Sequence, residues 1–228
     1  MRMIETPFAL DPAELKSGLE HDVLLLEPRS PGVHQSDLIR DLENTVLKPG
    51  QRRADVDISD SEREALNRYR ELGLMWEIVL EAVWRKRRIT NLDPRKFLRQ
   101  VEIEHDGVFK TVDAIHIPDW RVLEFKLTFR SSGRTGFPDP PAESREFSDG
   151  EISSFTSEFW AWMAQIKGNC LGHGTRLASL FVLFVNGAYH PPIPQTRRFD
   201  FIFDDQDLID NWRMLKNHEK VMRREGRV

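Results

Sequence analysis

The segment spanning residues 97–129, FLRQVEIEHDGVFKTVDAIHIPDWRVLEFKLTF, constrains the fold most. Alternating apolar and polar residues broken by Asp106-Gly107 and Pro118-Asp119 predict three strands joined by tight turns, a β-meander. On the third strand Glu124 and Lys126 share one face and Phe125 takes the other, because side chains alternate along a strand. Asp113 lies on the second strand, where an antiparallel neighbour can set it beside them.

These charges stand in apolar company: Val122, Leu123, Phe125 and Leu127 would bury the third strand. A buried carboxylate or ammonium is costly unless it is paired or bound to a metal. A hard divalent cation such as Mg²⁺, or Mn²⁺ in its place, meets that need with one or two carboxylates and keeps positions open for water and phosphate. Asp113, Glu124 and the Phe125 carbonyl are the candidate metal ligands, and Lys126 is the candidate group for orienting water and stabilising developing negative charge.

A helix is predicted from about Ser61, where Ser61 and Glu64 form a capping-box pattern, through ELGLMWEIVLEAVWRKRR. Glu77 and Glu81 lie four residues apart in an apolar run, so they share a face and one of them should reach the metal. The Arg85–Arg88 cluster is the other partner open to them; its default place is a solvated helix end, where cations meet the dipole. Arg85 and Arg88 with Arg130 and Arg134 could instead line a DNA groove.

Around this centre, residues 1–58 read as an irregular arm with one helix from Ser36 to about Leu47, and 59–228 as one domain. His34 in the arm could approach a metal, although a solvated turn is the favoured reading. Residues 130–149 read as a long loop and 153–170 as an aromatic-rich helix. LASLFVLFV reads as a strand buried on both faces, RRFDFIFD as another strand, and a last helix starts near Asp205 and ends in a fraying basic tail. The recurring tryptophans Trp76, Trp84, Trp160 and Trp162 are expected in the core.

Cys170 is the only cysteine, which excludes an internal disulfide and a cysteine-based zinc site within one chain. With no predicted membrane segment, a cytoplasmic setting is expected, bacterial or phage-infected. The formal charge of −4 does not advertise a polyanion partner, so DNA contact would have to come from a local basic patch.

Asp113, the Glu124-x-Lys126 strand and the upstream helical glutamate resemble the PD-(D/E)XK phosphodiesterase superfamily, especially its RecB-like and lambda-exonuclease-like branches and their phage-encoded members. The resemblance covers roughly residues 61–190 and implies a restriction-endonuclease-like α/β core, a central mixed sheet flanked by helices in αβββαβ order. It implies Glu77 ahead of Glu81 as the helical acid, and Gln165 on the following helix, where it would steady substrate or the lysine. Gln165 is equally open to bonding backbone. The branch motif continues to a Tyr, and Asn169 stands in its place.

The function so implied is a Mg²⁺- or Mn²⁺-dependent nuclease acting on DNA, exonuclease or endonuclease, in recombination, repair or end processing. The alternative is a catalytically silent protein of the same fold that binds nucleic acid or serves assembly. Homo-oligomerisation is left open.

Overall fold

The computed structural model describes residues 1–8, 30–46, 97–130, 141–187 and 194–228, with positions 72, 73, 75, 76, 79 and 132. Its strands are β1 (Arg2–Thr6), β2 (Phe97–His105), β3 (Val108–His116), β4 (Arg121–Thr128), β5 (Arg145–Glu146), β6 (Leu177–Phe184) and β7 (Gln195–Ile202). The helices are α1 (Gln35–Val46), α2 (Asp149–Glu158), α3 (Trp160–Gly172) and α4 (Asp205–Arg224). The chain is a mixed α/β protein with one seven-stranded sheet in the order β2-β3-β4-β6-β7-β1-β5.

The expected meander forms, with its first turn at Asp106-Gly107. β6, the continuous apolar run, lies between β4 and β7, parallel to β4 and antiparallel to β7. That interior place accounts for its lack of alternation, since both of its faces are covered. One face of the sheet carries a core of Val112, Ile115, Val122, Leu180, Phe199 and Phe201 against Phe155, Met163 and Ile166 from α2 and α3. The other face carries Ala114, Leu123, Phe125 and Phe181 against Phe8, Trp76 and Val79. Residues 72, 73, 75, 76 and 79 are helical, as the sequence predicts; Glu77, Glu81 and Trp84 lie outside the described residues.

Four expectations are corrected. The arm is not irregular at its start: Arg2–Thr6 forms β1, paired along its length with β7. Five residues give too short a pattern to stand out, and the partner is some 190 positions away in sequence. Within the expected loop, Arg145–Glu146 adds a short edge strand on β1. The single aromatic helix is two, parted at Phe159, whose backbone leaves helical geometry at φ −113° and ψ 36°. Phe159 is buried there and stacks on Trp162 at 4.4 Å, so side-chain packing overrides helical continuity. The basic tail does not fray at once: Met222 is buried, and Arg227 pairs with Asp41 of α1, which also meets His218 at 2.7 Å.

β1 is anchored by Met3, which is fully buried in the main core. Met3→Ala is expected to lower unfolding free energy by about 2–5 kcal/mol, the usual range for truncating a buried side chain of this size. Urea denaturation of the two proteins measures the difference, and a loss below ~1 kcal/mol would mean that β1 contributes little to the sheet.

No helix among the described residues is long and apolar enough to cross a membrane.

Candidate active site

The site forms where two strands part. The β3–β4 ladder pairs His116 with Arg121, Ile115 with Val122 and Ala114 with Leu123, and pairing stops there. At the next position the Asp113 side chain replaces the missing backbone acceptor, and the Phe125 N–H donates to Asp113 Oδ2 at 2.7 Å. A backbone donor removed from a ladder needs an acceptor, and a carboxylate is a strong one. On the other side of β3, Gln100 of β2 sits at φ 45° between the pairs Arg99–Ala114 and Val101–Val112. Left-handed backbone is disfavoured at a non-glycine residue, so the sheet is locally distorted on both sides of Asp113.

The fork is filled from the N-terminal segment. Phe109 N–H donates to the Val33 carbonyl at 2.8 Å, and His34 bridges to Phe109 in parallel. α1 therefore begins beside β3, against α3.

β4 keeps its full ladder with β6, so its side chains alternate as expected. Phe125 packs on Phe181 on one face. Glu124 is fully buried on the opposite side, beneath α3. Lys126 Nζ donates to Glu124 Oε1 at 2.6 Å and to Gln165 Oε1 at 3.2 Å. Asn169 Nδ2 donates to Glu124 Oε2 at 3.3 Å. Gln165 and Asn169 are one helical turn apart, so a single face of α3 holds both ends of the Glu124–Lys126 pair.

Among the described residues the electrostatics are those of two neighbouring acids with Lys126 and Arg99 close to them. Burial, and then the neighbouring Asp113 charge, push the Glu124 carboxyl up to about 7. Burial also raises Asp113, against the opposing pull of Lys126, the Phe125 N–H and Arg99. Among the described residues no hydrogen bond reaches Asp113 Oδ1. Two mutually repelling carboxylates fit a hard divalent cation, which often takes only one or two protein carboxylates. The described residues contain no cluster of three or more His, Cys, Asp or Glu placed to hold a metal. The third acid expected from sequence, Glu77 or Glu81, lies outside them.

Glu124 also sets a pH dependence. Its folded-state value of about 7 exceeds the ordinary 4.5, so folding favours the protonated form. Its contribution to stability is complete below about pH 4.5 and is lost as pH rises toward 7. With chelator present, the stability of the wild type minus that of Glu124→Gln is expected to fall across this window. Thermal midpoints of both proteins at several pH values measure it, and parallel curves would contradict the buried-acid description.

The other sequence candidates divide. Arg130 pairs with Glu158, through the backbone carbonyl and Oε1, both at 3.0 Å. Arg85, Arg88 and Arg134 lie outside the described residues. His34 is not in a solvated turn: it is buried, with Nε2 2.8 Å from the Ser30 carbonyl and its ring against Phe109. Its seat in the strand fork is the reason, and no local sequence signal announces it.

Asn169, Lys110 and Gln35 carry no role among the sequence expectations. Asn169 had a signal, since it follows Gln165 by one turn and must share its face. Lys110 had one too, because it stands in phase with Val108 and Val112 on β3. It is 1% exposed, donates to the Gly168 carbonyl at 3.0 Å and lies over the Trp212 ring at 3.6 Å. Burial lowers its amine to about 7.

No family model and no curated protein matches the sequence. Among solved structures the chain is similar to one described as the crystal structure of SSO0001, at 13% identity, over 89% of this chain and 83% of that one, with a TM-score of 0.41. A likeness that slight adds nothing to the functional reading, which rests on the residues themselves.

Proposed function

We propose that the chain is a Mg²⁺- or Mn²⁺-dependent deoxyribonuclease built on a PD-(D/E)XK core, with Asp113, Glu124 and Lys126 at its centre. The observation that supports this most is the parting of β3 and β4 at Asp113, which gathers the partly exposed Asp113, the buried Glu124 and Lys126 in one place. A purely structural strand gains little from such an arrangement, since buried charges are expensive to keep.

Asp113 and Glu124 would hold the cation, joined by the Phe125 carbonyl and by Glu77 or Glu81. The cation supplies Lewis acidity to the phosphodiester and favours ionisation of water at neutral pH. The Phe125 N–H fixes the Asp113 carboxylate, and Asn169 holds the far oxygen of Glu124. Lys126, held between Glu124 and Gln165, keeps a compact positive charge where it orients the attacking water and offsets charge growing on the phosphate. Recombination, repair or end processing is the setting such an activity serves.

The test incubates end-labelled linear single- and double-stranded DNA with the protein, in Mg²⁺, Mn²⁺ or chelator, beside Lys126→Ala and Glu124→Ala. Cleavage that needs metal and is lost in both variants is the expected result. Cleavage that persists in chelator or in both variants sinks the mechanism. Metal-independent binding without cleavage would make the chain a silent protein that retains only the fold.

A further inference from the structure

Resting on that reading, we propose that Gln35, at the start of α1, is a positioning residue for the site. It acts by holding the turn of α3 that aims Gln165 at Lys126.

Gln35 is 2% exposed and follows His34, which bridges to Phe109 of β3. Its Nε2 donates to the Gln165 carbonyl at 2.8 Å and to the Ala164 carbonyl at 3.3 Å. Both carbonyls are interior to α3, so these bonds are not end caps; they tie the middle of the helix to α1. The side chain of Gln165 then reaches Lys126 Nζ at 3.2 Å.

The opposite wall of this contact is built to admit it. Gly168 lies one turn from Ala164, and a Cβ there would fall within 2.6 Å of the Gln35 amide carbon and oxygen. A glycine inside a helix is destabilising relative to alanine, so its place here is accounted for by the room Gln35 needs. Gln35 also lines a small cavity of about 40 Å³ with Lys110, Gln165 and Asn169, so the tie sits beside the site. A shift of 1 Å in a positioning group can cost a hundredfold in rate. The segment before the meander thus takes part in the chemistry through one amide.

The tie runs to the backbone of residue 165, which is what makes it testable. In Gln165→Ala the carbonyl remains and the side chain is gone. If Gln35 only stabilised the fold, Gln35→Leu would cost the same in either background. If it positions the Gln165 side chain, Gln35→Leu lowers kcat about tenfold in the wild type, with KM unchanged, and less than twofold in Gln165→Ala. Gly168→Ala, which displaces the amide without removing it, should match Gln35→Leu. Equal costs in both backgrounds, or full activity in Gln35→Leu, overturn the proposal.

A second measurement does not depend on activity: the ¹⁵Nζ resonance of Lys126 in protein labelled with ¹⁵N-lysine and assigned with Lys126→Arg. Gln35→Leu and Gln165→Ala should each move it, and the double variant should move it no further than Gln165→Ala alone. An unmoved resonance in Gln35→Leu rejects the positioning role even where cleavage fails. A moved resonance in a protein without nuclease activity rejects the nuclease reading and leaves the tie intact.

Discussion

Lys126→Met is expected to lower metal-dependent DNA cleavage by about 10²–10⁴-fold, the range over which one preorganised electrostatic or proton-transferring group acts. Methionine keeps an unbranched stem in place of the lysine's and removes only the ammonium. The loss should fall on kcat, because the role proposed for Lys126, which touches Glu124 and Gln165, is to meet charge that develops during the reaction. Affinity for Mn²⁺ should survive, since an ammonium is no ligand. Lys126→Arg should not restore the rate, because a planar guanidinium cannot occupy the point position between Glu124 Oε1 and Gln165 Oε1. Steady-state cleavage of a labelled duplex at saturating Mg²⁺ measures the effect; a loss smaller than tenfold would remove Lys126 from the chemistry.

Glu124→Gln is expected to abolish cleavage and, without metal, to leave the protein more stable than the wild type near pH 8. The two effects share one cause. Glu124 is fully buried and faces the like charge of Asp113, which together lift its carboxyl to about 7. A shift of that size corresponds to on the order of 3 kcal/mol between protonation states, and glutamine relieves much of it while keeping an acceptor for Lys126. Divalent metal should narrow the gap. A cation at 100 times its Kd stabilises the wild type by about 2.7 kcal/mol, and a variant that binds at least tenfold more weakly by about 1.4 kcal/mol or less. Thermal midpoints in chelator and in excess Mg²⁺ measure both arms. A variant that Mg²⁺ stabilises as much as the wild type would take Glu124 out of the metal site.

Much of this was legible in the sequence, for reasons that differ from residue to residue. The meander was visible because its alternation and its turn residues are local. β6 was visible because burial on both faces leaves an unbroken apolar run. The face shared by Glu124 and Lys126 follows from strand geometry alone, and the contact of Lys126 with Gln165 matches one of the two readings given to that glutamine. What stayed hidden depends on long-range pairing. β1 is five residues whose partner lies at the other end of the chain. The parting of β3 and β4 is a tertiary event that no periodicity encodes, and with it went the places of His34 and Gln35. In the sequence Asn169 stands out only as the residue that is not tyrosine. In the fold it does work that tyrosine's place in the motif does not suggest, donating to the buried Glu124. The break at Phe159 was hidden because helix and core favoured the same aromatic residues until packing separated them.

The account stands on Asp113 and Glu124 acting as one cation site, and Mn²⁺ binding followed by electron paramagnetic resonance tests that most directly. Wild type and Lys126→Met are expected to take up Mn²⁺ with similar affinity, while Asp113→Asn and Glu124→Gln each lose at least tenfold. Equal uptake by all four proteins, or none by the wild type, would contradict it.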